Sequence, residues 1–267
     1  MRRLMFTLLS MTVAMPCHSA QFNALVFTKT NGWHHDSINA AVTAVEQLGK
    51  KHDFQTFWTE DANRVFNDAE LAKYQVVMFL LTTGDVLNDE QQAAFERYMR
   101  KGGGFVGVHS ASDTEYGWPW YTKMVGHMFH IHPPVQSATV EVKDFNFPGM
   151  DRFAPRFLFT EEWYEFDASR SDQLHYLLAV DESTYKPQVE WADRHLKGAG
   201  MGSFHPISWY QYYDGGRAFY TALGHLPDAY SDEHFLHHIY GGLYWAATGN
   251  GFRAQSDPVV KTKTKAH

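Results

Sequence analysis

Residues 74–81, YQVVMFLL, are an apolar run with no charged break. A run of this length and composition suits a strand covered on both faces, as in a parallel sheet packed between helices. Its surroundings agree. Shorter β-type runs stand at residues 24–27 (ALVF), 54–58 and 104–109 (GFVGVH). Between the first two, Ile38, Ala41, Val42, Val45 and Leu48 recur at three- and four-residue spacing, predicting a helix over residues 37–48. Residues 87–100 predict another helix, with Asn88 as its cap, Asp89 and Glu90 in its first turn, and glycines after its end. Strand–helix alternation of this kind indicates a parallel sheet with right-handed crossovers. Ligands gather beyond the carboxyl ends of such strands. The loops TNGWHHD, TTGD and HSASD are therefore expected to meet at one edge.

The second half reads as shorter strands in a more antiparallel context, at residues 137–142, 159–166, 175–180, 188–191 and 216–222. A last helix is expected over residues 231–247, capped by Ser231 with Asp232 and Glu233 behind it. The expectation is one α/β domain over residues 21–250, a parallel-core sheet flanked by helices, followed by a basic tail at 251–267. Residues 1–20 carry two arginines, an apolar stretch and a small-residue end, the layout of a secretory signal peptide too short to span a membrane. The protein is accordingly expected to be exported, periplasmic or secreted.

Cys17 is the chain's single cysteine and lies in that leader, so the remainder has no disulfide, thiolate metal site or cysteine nucleophile. The whole chain has 23 Lys and Arg against 30 Asp and Glu, a net −7; without Arg2 and Arg3 the balance is 21 against 30, or −9. An acidic chain without a basic stripe excludes nucleic acid as the expected partner.

Sixteen histidines are clustered rather than scattered. Histidine is both a general base near neutral pH and the commonest metal ligand. His109 has the strongest placement, because its strand delivers it to the ligand edge. His34, His35 and Asp36 follow the first strand, where Asp36 is either a site residue or a helix cap. In HMFHIHPP, Pro133 disfavours helix at the residue before it, which places His132 in an extended loop. His234 and His238 have zinc-like helical spacing, yet packing suits their aromatic and glycine neighbours better. In TEEWYEF, strand geometry puts Glu162 and Tyr164 on one face and Glu161 with Trp163 on the other, and a carboxylate beside a phenol suits acid–base work or sugar binding. Trp33, Tyr116 and Trp209 are candidate stacking residues for sugar rings. Ser110 and Ser112 sit in no GxSxG turn, which disfavours a serine hydrolase.

The segments GFVGVHSASD, GHMFHIHPP, EEWYEF and ISWYQYYDGGRAFYTALGH together resemble the ThuA-like trehalose-utilisation family, from about residue 24 to residue 248. The resemblance implies a class I glutamine-amidotransferase-like, flavodoxin-like fold whose nucleophile turn holds His109 in place of cysteine. It also implies a role in disaccharide or glycoside use beside dehydrogenases that oxidise a glucoside at carbon 3. His35 and Asp36 match its first-loop motif, His109 and Asp113 its elbow, and His132 its histidine–proline loop. Glu162 with Tyr164 match its glutamate–tyrosine strand, and Trp209 and His225 its C-terminal motif.

From these residues the expected function is histidine-assisted proton abstraction on a 3-keto-glycoside or disaccharide, ending in elimination or isomerisation. His109, Asp113, Glu162 and Tyr164 are its catalytic candidates, and Trp33, Asp36, Tyr116 and Trp209 its substrate-binding ones. His35, His109, His132 and His225 are candidate ligands for a zinc-type divalent ion that polarises the ketone. No nucleotide cofactor is expected. The alternative is a non-catalytic carbohydrate-binding module on the same fold.

Overall fold

In the computed structural model, which describes residues 20–252, the apolar runs become the middle of a nine-stranded sheet. The order along the chain is β1 (Asn23–Phe27), α1 (Ile38–His52), β2 (Gln55–Thr59), two one-turn helices α2 (Ala62–Val65) and α3 (Asp68–Leu71), β3 (Val76–Leu80), α4 (Asp89–Arg100) and β4 (Gly104–Val108). There follow α5 (Pro119–Val125), β5 (Phe129–Ile131), β6 (Gln136–Val142), β7 (Arg156–Glu161), β8 (Glu165–Phe166), β9 (His175–Val180), β10 (Val189–Trp191), β11 (Leu196–Gly198), β12 (His205–Tyr213), β13 (Gly216–Thr221) and α6 (Glu233–Thr248). The signal-peptide expectation and most of the basic tail lie outside the described residues. Among the described residues no helix is long and apolar enough to cross a membrane.

The sheet order is β2-β1-β3-β4-β13-β12-β9-β6-β7. β1 to β4 are parallel, and every residue of β3 and β4 is buried, as the unbroken apolar run demands. The expected antiparallel context holds for β9, β6 and β7, which a strand not foreseen, β12, joins to β13; β13 is antiparallel to β12 but not to its other neighbour, β4. β13 lies parallel to β4, so the chain segment after it also emerges at the ligand edge. The sequence pattern of a buried strand is the same for either direction, which is why this correction came only with the pairing.

Phe79 of β3 is the hub of the core on one face. Its ring lies 5.3–5.8 Å from those of Phe27, Phe66, Phe95, Phe105 and Tyr121. α4 begins as expected, with a reciprocal capping box between Asn88 and Gln91. α6 begins two residues later than expected. Asp232, not Ser231, caps it by accepting from the amides of His234 and Phe235, because residues 227–231 are taken up by a 3₁₀ turn.

His238 on α6 fills the core, its ring 5.1 Å from Phe219 and its Nε2 3.1 Å from Ser208 Oγ. His234 is exposed beside Asp232, so the two rings lie in different environments. Burial pushes His238 down to about 3. Its folded value lies below the ordinary histidine value of 6.5, so between those pH values the unfolded chain binds the extra proton. Its contribution is complete above pH 6.5 and fades as pH falls towards 3, at about 1.4 kcal/mol per pH unit. Relative to wild type, His238→Gln is expected to lose roughly 2–3 kcal/mol less stability between pH 7 and 4.5 in urea unfolding. Parallel pH curves for the two proteins would show that His238 carries no such linkage.

A candidate His–Glu metal centre at the sheet edge

The three expected loops do converge. The Asn31 amide donates to Thr83 O (2.8 Å), the Gly84 amide to Asp113 O (2.8 Å) and the Glu115 amide to Gly84 O (3.2 Å). Gly84 has φ +72 and would place a Cβ 3.1 Å from the Asn31 backbone, so only glycine suits this crossing.

β4 ends by turning at His109, whose φ of 51° is uncommon for a residue with a side chain. The turn aims the imidazole across the sheet edge. Its Nδ1 lies 2.7 Å from Ala222 O; a carbonyl only accepts, so Nδ1 carries the proton and Nε2 faces the site as a free lone pair. This Nε2 is 3.5 Å from Glu162 Oε2 and has no hydrogen-bond partner. His225, on the loop after β13, brings Nδ1 to 3.1 Å from the same Oε2, also outside hydrogen-bond geometry. His35, buried on the loop after β1, completes the group; its ring lies 4.9 Å from that of His109 and 5.5 Å from that of His225. One ligand atom from each of His35, His109, Glu162 and His225 lies within 4.8 Å of the others.

This differs from the expected four-histidine set in one member. Glu162, foreseen as an acid or base, supplies the fourth donor, and His132 stands one step outside. His132 Nδ1 is 3.1 Å from Glu162 Oε1 and 3.0 Å from Pro133 O. Both neighbours accept, so Nδ1 holds the proton and Nε2 remains basic.

The electrostatics favour an ionised Glu162 among its imidazoles. Burial alone would raise the Glu162 carboxyl, but the His109 and His225 imidazoles outweigh it and hold the group well below the usual range. Burial, followed by the neighbouring imidazoles of His109 and His225, pushes His35 down to about 2. Burial also lowers His132. It would lower His225 too, but the Glu162 carboxylate reverses the sign and raises it. The donor set of three imidazoles and a carboxylate, with two buried ring nitrogens lacking partners, fits a zinc-type divalent ion.

Around this group, Tyr164 is buried with its ring 4.3 Å from that of His109 and 4.3 Å from that of Phe129. β7 ends at Glu161, so residues 162–164 are not strand; Glu162 and Tyr164 nevertheless both approach His109. Burial pushes the Asp113 carboxyl up, and Tyr116 opposes this by donating its hydroxyl to Asp113 Oδ1 at 2.8 Å. Asp36 is exposed and does not cap α1, whose cap position is Ser37. Trp33 sits on the first loop with its indole 70% exposed. Trp209 is a core residue rather than a sugar platform: it is 1% exposed, donates Nε1–H to Val125 O and stacks on Tyr220 at 4.6 Å. Ser110 and Ser112 are buried, Ser112 against Tyr220 Oη at 2.8 Å. His127 and His130 bond backbone carbonyls of Asp167 and Lys197, away from the centre.

Two neighbours of the site were not foreseen. Trp191, on the β10–β11 hairpin, meets the His132 ring edge-on at 4.8 Å. Glu161 is fully buried against the backbone of the centre and accepts from the amides of Glu162, Gly224 and His225. The pair of adjacent glutamates at a strand end was the available signal, since two neighbouring buried carboxylates need a reason.

The profile of the family described as "ThuA: Trehalose utilisation" matches residues 23–246. A ThuA-like protein from Bacteroides uniformis has a similar structure, with TM-score 0.71 and 22% identity over 88% of this chain and 95% of that one. One from Parabacteroides merdae has TM-score 0.69 and 17% identity, covering 87% and 92%. The carbohydrate deacetylase Agd3 shares the fold more distantly, with TM-score 0.53 and 14% identity over 87% of this chain and 33% of that one. No curated protein matches the sequence. These likenesses agree with the mixed sheet flanked by helices, and the family match covers most of the chain: the protein belongs to the ThuA, or trehalose utilisation, family.

Proposed function

We propose that the protein is an exported carbohydrate-active enzyme that cleaves or isomerises a 3-keto-glycoside at the His35–His109–Glu162–His225 centre. The observation that carries this reading is the pair of buried, unpartnered ring nitrogens, His109 Nε2 and His225 Nδ1, facing one carboxylate. Such atoms cost roughly 1–3 kcal/mol each when left unsatisfied, so a bound group that takes their lone pairs explains them. A divalent ion held there would supply Lewis-acid polarisation of a substrate carbonyl.

The chain's own residues do the rest. A ketone at carbon 3 acidifies the hydrogen on carbon 2, and His132 Nε2, basic because Nδ1 holds its proton, accepts it. The electrons form a double bond between carbons 1 and 2 as the glycosidic bond breaks, and the departing oxygen takes a proton from Asp113. Burial keeps that carboxyl protonated to higher pH than an ordinary aspartate, as an acid needs. Tyr116 and the exposed Trp33 border the same edge and offer contacts for the sugar. The substrate would come from a dehydrogenase that oxidises a glycoside at carbon 3.

Incubation with a 3-keto-glucoside, followed by NMR, is expected to show loss of the carbon-2 proton and release of the aglycone. His132→Ala should slow this by about 10²–10⁴-fold, the usual range for a positioned base. Sugar binding without turnover would favour the non-catalytic module instead.

A further inference from the structure

Glu161 belongs to no part of that reaction, yet it is one of the most enclosed carboxylates in the fold, with no exposed surface. Oε1 accepts the Glu162 amide at 2.8 Å, Oε2 the Gly224 amide at 2.7 Å, and the His225 amide reaches both oxygens at 3.2 and 3.3 Å. Every one of these contacts is a backbone N–H, so both side-chain oxygens act as acceptors. No Lys or Arg pairs with it among the described residues.

The two peptide segments tied by Glu161 are the ones that deliver Glu162 and His225. They lie about sixty residues apart in sequence and are tied together by this carboxyl group's amide contacts. Gly224, with φ +119, brings its amide into reach, where a Cβ would lie 2.6 Å from Tyr230 Oη.

We propose that Glu161 is a positioning residue of the metal centre: by accepting the Glu162, Gly224 and His225 amides, its carboxyl group fixes the backbones that carry two of the four donors. The inference rests on the reading of this centre as a metal site. Outer-shell partners of this kind are commonly worth 10–100-fold in metal affinity.

Zinc affinity, measured by competition with a chromophoric chelator, is expected to fall at least about tenfold in Glu161→Gln. Circular dichroism melts of the metal-free proteins should stay within a few degrees. A purely structural role would move the melts and leave the affinity of the folded protein alone. Equal zinc affinity in the two proteins would overturn the assignment of Glu161 while leaving the centre intact, whereas a wild type that binds no zinc would remove both. Should Glu161→Gln fail to fold, amide hydrogen exchange of the wild type decides. Zinc is expected to slow exchange at Gly224, whose amide donates to Glu161 Oε2, and an unchanged Gly224 amide would contradict the proposal.

Discussion

Replacing His109 with alanine is expected to reduce turnover of a 3-keto-glycoside by about a thousandfold or more, with the fold retained. The imidazole is held at both ends: Nδ1–H is bonded to Ala222 O, and the ring is packed on Tyr164. Its Nε2 therefore has one orientation, towards Glu162. Removing it takes away one of four donors and leaves the carboxylate short of a neighbour. Loss of carbonyl polarisation costs several kcal/mol, and about 4 kcal/mol corresponds to a factor near a thousand. Melting temperature should change far less, because the lost ring carries an unsatisfied nitrogen whose removal offsets part of the lost packing. The comparison is kcat/KM by NMR against a melt of the same sample. Turnover within tenfold of wild type would remove His109 from the chemistry.

The largest stability effect is expected at Phe79. Its ring is fully buried and touches five other aromatic rings contributed by β1, the end of α2, α4, β4 and α5. Truncation to alanine leaves a cavity in which rigid neighbours relax only in part, at about 3–5 kcal/mol. For a chain of this size that lowers Tm on the order of 10 °C. A fall of under about 3 °C would mean that the rings around Phe79 refill the space, and that this face of the sheet is less tightly packed than its geometry implies.

The first half of the fold was legible because its signals are local. The apolar run of β3, the Asn88–Gln91 cap and the histidine-bearing turn after β4 each follow from a few adjacent residues. The direction of β13 was not, since its neighbour β4 lies more than a hundred residues earlier and a buried strand reads alike in either sense. The same limit governs the site. His35, His109 and His225 could be picked out one loop at a time, as residues at strand ends. The exchange of His132 for Glu162 in the donor set depends on the chain leaving β7 after Glu161, which a strand pattern continued through TEEWYEF hides. Trp209 misled for a simpler reason. An indole that donates to a backbone carbonyl in the core has the same sequence surroundings as one that waits for a sugar.

The account turns on whether His35, His109, Glu162 and His225 hold an ion. Elemental analysis by inductively coupled plasma mass spectrometry, on protein purified without chelator and dialysed against trace zinc, measures this directly. The expected result is about one zinc per chain in the wild type, as a single three-histidine, one-carboxylate site requires, and little in His225→Ala. Near-zero metal in the wild type, or equal metal in both proteins, would contradict it.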